Sequence, residues 1–175
     1  MILRPVSSED MDRARALYLD SFPEYERVPL DKLEAHLIRG DTEWLGIYEG
    51  GRLCGTAYVL FNERILFILY LAVDPSCRNN GYGSAALRAV MERHPYHKTF
   101  LNIEPPDEEC DNREQRLRRQ GFYVRNGFIP SGRLHTSDGD FITMCYMGRI
   151  TDEELNLFRL DVGLDMLFDG GMELE

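Results

Sequence analysis

The 175-residue chain reads as one mixed α/β (α+β) domain, and three observations predict it. Two turn signals, Glu49-Gly50-Gly51-Arg52 and Phe61-Asn62-Glu63-Arg64, join runs of strand-forming residues into hairpins. The run Ile65–Val73 is apolar without interruption, which marks a strand covered on both faces and therefore the centre of a sheet. Beyond it, stretches with helical spacing of apolar residues alternate with further short strands. With 43% hydrophobic and 29% charged residues, the chain has the balance of a packed core inside a solvated surface rather than that of a disordered or fibrous protein.

Residues 2–4 form the first strand candidate. A helix follows, capped by Ser7 or Ser8, whose hydroxyls can accept from an unpaired amide at a helix start. Met11, Ala14, Leu17, Tyr18 and Phe22 recur on one of its faces. After the loop 22–28, Pro29 suits the first turn of a second helix, with Leu30, Leu33 and Leu37 as its stripe and Gly40 as its stop. Strands are expected over 44–48, 53–60 and Ile65–Val73. A helix over 83–93 buries Ala86, Leu87, Val90 and Met91 and halts at His94-Pro95. A strand over 99–103 ends before Pro105-Pro106. Asp111 with Glu114 three residues on reads as a capping box opening a fourth helix to about Arg125, stopped by Asn126-Gly127. Strands at 128–129 and 141–147 flank a turn around Ser137-Asp138-Gly139-Asp140. Thr151-Asp152-Glu153-Glu154 is a second capping signal, before an acidic amphipathic tail carrying Leu155, Phe158, Val162 and Leu167.

A net charge of −10 argues against nucleic acid as a partner, because phosphate neutralisation needs a basic surface. Much of that charge sits in 151–175, where eight acids face a single base, Arg159. Cys54, Cys77, Cys110 and Cys145 lie far apart, and no close His or Cys spacing suggests a metal site, so free thiols in a reducing cytoplasm are expected. The longest apolar run falls well short of the roughly 20 residues that span a membrane, and the first residues lack the pattern of a signal peptide. A cytoplasmic protein without a membrane partner is the expectation. His36, His94, His97 and His135 are scattered and read as surface imidazoles.

Chemistry concentrates where the buried strand ends, a polar loop carries Gly81 and Gly83, and a helix opens. Unpaired amides at such a helix start, together with its dipole, make an anion site suited to phosphate or pyrophosphate. The plainer alternative is that the two glycines only shape a turn. Gly81-x-Gly83-x-x-Ala86, with Glu104 downstream, also fits a dinucleotide fingerprint, but that fingerprint follows directly on its strand, whereas here 74–80 intervene.

Arg78-Asn79-Asn80-Gly81-Tyr82-Gly83 after Leu71-Ala72-Val73-Asp74-Pro75 resembles the R/Q-x-x-G-x-G/A coenzyme A loop of the GNAT superfamily of N-acetyltransferases. Phe122-Tyr123-Val124-Arg125-Asn126-Gly127-Phe128 resembles the F-Y-x-x-x-G-F signature at the end of that superfamily's fourth helix. The resemblance covers about 1–148. It implies a GNAT acetyltransferase domain over 1–149, built on a central mixed, mostly antiparallel sheet flanked by about four helices, with an acidic tail over 150–175. It implies acetyl-CoA as co-substrate and no metal. Backbone groups of Leu71, Ala72 and Val73 would hold the pantetheine arm where the central strand splays from the strand ending near Ile103. Amides across Arg78, Asn79, Asn80, Gly81, Tyr82, Gly83 and Ser84 would hold the pyrophosphate, and Tyr123 would protonate the departing thiolate.

The chemistry agrees: a phenol of ordinary pKa about 10 can donate to a thiolate whose acid has a pKa near 8.5. The Val73 amide can serve the oxyanion. Direct attack by an amine needs no covalent enzyme intermediate, so Cys77 need not be a nucleophile. Some family members carry a glutamate midway along the central strand, where this chain has Phe67; Glu104 is the base expected instead. Glu24 and Glu26 lie in the loop where the family forms its acceptor lid and are expected to bind a cationic amine. Asn79 and Asn80 replace the glycine and basic residue common in the family loop. Arg113, Arg116, Arg118, Arg119 and Arg125 offer either a coenzyme phosphate contact or a solvated face, and Gly121 a site for a kink. The expected activity is acetyl transfer to a small cationic primary amine, which the acidic surface would attract. A protein amine as acceptor, or a non-catalytic acyl-CoA-binding regulatory or assembly module, are the alternatives. The tail either packs on the domain or meets a second subunit in a homodimer through Leu155, Phe158, Leu160 and Leu164.

Overall fold

The computed structural model describes residues 1–106, 111–136, 139–168 and 172–174. The elements in chain order are β1 (Ile2–Pro5), α1 (Met11–Ser21), α2 (Leu30–His36), β2 (Thr42–Glu49), β3 (Arg52–Phe61) and β4 (Ile65–Val73). They continue with α3 (Tyr82–Arg93), β5 (Lys98–Ile103), α4 (Arg113–Arg125), β6 (Ile129–Thr136), β7 (Gly139–Tyr146), α5 (Asp152–Val162) and β8 (Met172–Leu174). Among the described residues the strands make one sheet in the order β1-β2-β3-β4-β5-β7-β6-β8. Every neighbouring pair is antiparallel except β4 and β5.

The apolar run of β4 occupies the middle of the sheet, as its composition requires. One layer on the sheet gathers Ala14 and Tyr18 of α1, Leu33 of α2, and Leu155, Phe158 and Val162 of α5 over Tyr58, Phe67, Tyr70 and Phe100. The other gathers Leu87 and Val90 of α3 and Tyr123 of α4 over Val59, Leu66, Ile68 and Leu101. Three elements differ from the sequence expectation in cap or length, and β8 is a strand within the tail that the sequence does not predict. The N-cap of α1 is Asp10, not Ser7 or Ser8: Ala14 N donates to the Asp10 carbonyl at 2.9 Å, and Ser7 Oγ donates to the Asp10 carboxylate at 2.8 Å. The capping box at Asp111 and Glu114 does not form, because Asn112 is the first acceptor of α4 and Glu114 therefore falls one position early. The strand expected to stop at 129 runs on to Thr136, since a register shift between Pro130 and Gly132 absorbs the two residues that looked like breakers. Ser137 and Asp138 of the expected turn, and Cys110, lie outside the described residues; α4 runs through Gly121 as one helix.

The tail packs on the domain. Its capping box forms as the sequence predicts, with Glu154 N donating to Thr151 Oγ1 and Thr151 N to the Glu154 carboxylate. Phe158 meets Phe100 edge-on at 5.8 Å between ring centres, and Lys98 Nζ reaches Glu154 at 2.5 Å. Asn62 donates to Asp161 at 2.8 Å, and Arg39 to the Asp161 carbonyl at 2.9 Å. Of the residues offered to a second subunit, Leu155, Phe158 and Leu164 are therefore buried in their own chain, and Leu160 alone of the four stays exposed. The histidines also differ from expectation. His36 and His94 are buried, and His36 links Thr42 (2.9 Å) to the Gly163 carbonyl (3.4 Å), pinning the tail. No helix among the described residues is long and apolar enough to cross a membrane.

Candidate active site

β4 and β5 pair over only three residues, Ile65 with Lys98, Leu66 with Thr99 and Phe67 with Phe100. The cause lies on the other edge of β4. Tyr58 of β3 faces Tyr70 while Val59 faces Ile68, which leaves Leu69 as an extra residue. Such a bulge bends its strand and breaks the alternation of side chains. Leu69 and Tyr70 accordingly both pack on the α1–α2–α5 side of the sheet. Meanwhile β5 stays paired to β7 as far as Ile103. The two central strands part, and a cavity of about 740 Å³ opens between 67–73 and 101–104, a size typical of small-molecule sites. Its lining draws on both layers, so the cavity passes through the sheet.

On the α3–α4 side it reaches the loop that follows β4. Asp74 caps a short turn by accepting from Ser76 N at 2.9 Å. Arg78 Nε donates back to the Val73 carbonyl at 3.2 Å. Asn79 holds φ +64°, a left-handed conformation that asparagine tolerates better than most residues. Asn80 spends its side-chain amide on the carbonyls of Cys77 and Arg78, both at 3.1 Å, and does not line the cavity. Gly81 is the N-cap of α3 at φ +75°, and Ala85 N is the first helical donor to its carbonyl. The amides of Tyr82, Gly83 and Ser84 precede that bond and have no intrahelical partner; all three residues line the cavity. A Cβ on Gly83 would come within 3.1 Å of Phe122, so this glycine lets α3 and α4 close around the site.

From α4, Gln115, Arg118, Arg119, Phe122 and Tyr123 line the cavity, one helical face at spacings of three and four. Tyr123 is 9% exposed, with its ring between Phe122 (5.1 Å) and Phe128 (5.8 Å). No described residue hydrogen-bonds its hydroxyl. Burial pushes its pKa up to about 12 against the opposing pull of Arg119, so the phenol stays protonated at any ordinary pH. Glu104 also reaches the cavity, but not as a free base. It accepts from Arg116 at 2.7 Å and from Arg119 at 3.0 Å, and is itself buried. Phe67, midway along β4, stacks on Phe100 at 4.4 Å with ring planes 8° apart.

The other end lies under the α1–α2 loop. Tyr70 Oη donates to the Glu26 carbonyl at 2.8 Å and accepts from Val28 N at 2.9 Å, which ties the loop to β4. Glu26 lines the cavity, whereas Glu24 is exposed and does not. Burial raises the pKa of the Glu26 carboxyl, the Glu104 charge raises it further, and Arg119 opposes both. Cys77 is buried and lines the cavity as a free thiol. The structure therefore gathers Leu71, Ala72, Val73, Arg78, Asn79, Gly81, Tyr82, Gly83, Ser84, Glu104, Tyr123 and Glu26 around one cavity, and leaves out Asn80 and Glu24. The helical face shared with Tyr123 would have singled out Gln115, Arg118 and Arg119 from the sequence. Nothing local signalled Leu134, Phe141 or Phe168, which also line it.

Residues 11–128 match the model of the acetyltransferase (GNAT) family. The chain belongs to the GNAT acetyltransferase family. Solved structures agree on the fold. An acetyltransferase assigned to the GNAT family from Bacteroides thetaiotaomicron is 21% identical, with a TM-score of 0.74, over 95% of this chain and 98% of that one. An aminoglycoside 6′-N-acetyltransferase complexed with coenzyme A is 15% identical, with a TM-score of 0.64, over 83% of this chain and 96% of that one. A spermidine N-acetyltransferase chimera from Vibrio cholerae and hSSAT is 17% identical, with a TM-score of 0.63, over 83% and 96%. No curated protein matches the chain. At these identities the solved structures speak for the GNAT fold, and the family match for an acetyltransferase enzyme.

Proposed function

We propose that this GNAT enzyme transfers the acetyl group of acetyl-CoA to a small cationic primary amine, by direct attack in a ternary complex. The observation that carries the reading is the opening between β4 and β5. It connects an amide-lined end on one face of the sheet to a carboxylate-bearing end on the other, with Tyr123 among its lining residues.

The residues fit the co-substrate. Tyr82, Gly83 and Ser84 offer unpaired amides to a pyrophosphate, with the α3 dipole behind them, and Arg78 and Asn79 complete the turn. The edge of β4 that β5 leaves unpaired offers peptide groups of Leu71 and Val73 to the pantetheine arm, while those of Ala72 between them face β3. Glu26 receives the ammonium and takes its proton, directly or through water; its raised pKa suits a base better than an ordinary carboxylate. The freed nitrogen attacks the thioester carbonyl carbon. As the C–N bond forms, the Val73 amide donates to the oxyanion. As the C–S bond breaks, the Tyr123 hydroxyl donates its proton to the departing sulfur, and the proton remaining on the attacking nitrogen replaces it, directly or through water, as the amide forms. Glu104 holds Arg116 and Arg119 beside this path rather than acting as the base, because each carboxylate oxygen already accepts from a guanidinium.

Calorimetric titration with acetyl-CoA, followed by thiol release on adding primary amines, tests the proposal. Saturable binding and amine-dependent release are expected. Absence of binding would sink the reading. Binding without release from any amine would replace it with an acyl-CoA-binding module.

A further inference from the structure

The cavity's two ends differ in kind. Toward the coenzyme loop the lining is polar backbone, arginine and glutamine. Under the α1–α2 loop it is mostly aromatic and aliphatic, with Phe22, Phe67, Tyr70, Leu134, Phe141 and Phe168, and its polar members are Ser21, Glu26 and Thr136. Tyr70 offers little polarity there, since its hydroxyl is engaged by Val28 N and the Glu26 carbonyl. Phe22 lies 4.8 Å from the Tyr70 ring. Among the described lining residues the carboxylates are Glu26 and Glu104, and Glu104 is matched by two guanidinium groups. Glu26, which also feels the Arg119 and Arg116 charges, is then the one remaining lining carboxylate, so at most one ammonium finds such a partner. Leu134, Phe141 and Phe168 lie outside the residues that match the family model, and Phe168 follows α5, in the tail.

We infer that the acceptor is an amphiphilic monoamine, a single ammonium on an aryl or alkyl body, and that the C-terminal segment supplies the wall that selects it. The inference rests on the acetyl-transfer reading and narrows its acceptor. An ammonium beside Glu26 is compensated, whereas each further ammonium of a polyamine or aminoglycoside would be desolvated beside phenylalanine and leucine with no second carboxylate to pair it, which is unfavourable. An apolar body gains instead from the same surface. In the step itself the ammonium loses one proton to Glu26 and its nitrogen bonds the acetyl carbon; the C–S bond breaks with the electron pair on sulfur, which takes the Tyr123 proton, and the second nitrogen proton of the intermediate returns to Tyr123, directly or through water. A neutral amide and a free thiol result.

Thiol release is measured with phenethylamine, hexylamine, spermidine, kanamycin and a short peptide with a free N-terminus. Binding of phenethylamine and spermidine to the protein saturated with coenzyme A is measured alongside by calorimetry. The monoamines are expected to exceed spermidine and kanamycin in kcat/KM by about 50-fold or more, on the scale of a few methylene-sized contacts. Phe168→Ala is expected to weaken phenethylamine about tenfold, mostly through KM, with coenzyme A affinity within twofold. Phe168→Leu, which keeps an apolar wall, is expected to recover most of that loss. A preference for spermidine, kanamycin or the peptide overturns the inference and leaves acetyl transfer standing. So does a Phe168→Ala effect that falls equally on coenzyme A. Phenethylamine bound but never acetylated upholds the pocket's occupant and overturns the transfer reading instead.

Discussion

Replacing Tyr123 by phenylalanine removes one oxygen atom, and the surroundings of that atom set the size of the effect. The ring sits between Phe122 and Phe128, and no described residue hydrogen-bonds the hydroxyl. The substitution therefore strands no buried partner, and the expected change in stability is within about 1 kcal/mol, or roughly 2–4 °C in Tm for a chain of this size. Coenzyme A affinity should hold within twofold, since the peptide groups proposed to bind it are untouched. Turnover should not hold. A general acid is worth about 10²–10⁴ in rate, but the buried phenol, with its pKa near 12, lies well above an ordinary thiol at about 8.5. Its help is then mainly a hydrogen bond to the developing thiolate, which favours the lower range, about ten- to a hundredfold, or roughly 1.4–2.7 kcal/mol of barrier. The assay is single-turnover amine acetylation at saturating acetyl-CoA, beside calorimetric binding of coenzyme A and thermal melting. A rate within threefold of the unmodified enzyme, with binding and melting intact, would refute the reasoning.

Glu26→Gln should abolish the rise of kcat/KM with pH that the unmodified enzyme shows through a midpoint above the ordinary glutamate value, a direction set by burial and then by Glu104. A raised carboxyl pKa means the folded state holds its proton more tightly, so that stability contribution is present at low pH and lost as pH rises. The glutamine variant should therefore melt higher at pH 7 and match the parent near pH 4, as paired melting curves will show. Glu43 behaves in the opposite sense: burial would raise its pKa, but the His94 ring 3.8 Å away and the hydrogen-bonded Arg93 guanidinium outweigh it and bring the value to about 2. Its contribution is present above the unfolded carboxyl range and lost as pH falls toward 2. Glu43→Gln should cost roughly 1 kcal/mol at pH 7, discounted for solvent screening, with the gap closing in melts near pH 2. Gly81→Ala forces a left-handed alanine into open space, at a cost of about 1–2 kcal/mol, and should lower both Tm and coenzyme A affinity. Gly83→Ala presses on Phe122 and should act chiefly on affinity; equal effects of the two on Tm would contradict the distinction.

Much of this molecule is legible locally. β4 has in the structure the bounds that its unbroken apolar run predicts, because only a strand covered on both faces needs such a run. The loop after it, the helix start at Gly81 and the tail's capping box depend on neighbours a few residues away and are likewise readable. Expectation fails where distant groups compete for a local signal. Asp10 binds both Ser7 and Tyr48, which lies across the structure, and becomes the cap of α1. Pro130 and Gly132 look like breakers until β7 pairs past them through a bulge. The tail's leucines carry an amphipathic pattern, and no pattern states which surface it meets.

The order of the strands and helices from β1 to α5, the turn after β4 and the helical face bearing Tyr123 were determined by the sequence itself, since periodicity, turn chemistry and capping act over a few residues. The tertiary structure decided the rest. An extra residue at Leu69, visible only in the pairing of β3 with β4, opens the sheet. Two arginines of α4 pair with Glu104, and burial together with the Glu104 charge raises the pKa of Glu26, the contrast on which the proposed assignment of the base rests. Phe168 joins the cavity from well outside the matched segment. Each of these is a meeting of groups far apart in the chain, and no local pattern encodes which distant side chain fills a given space.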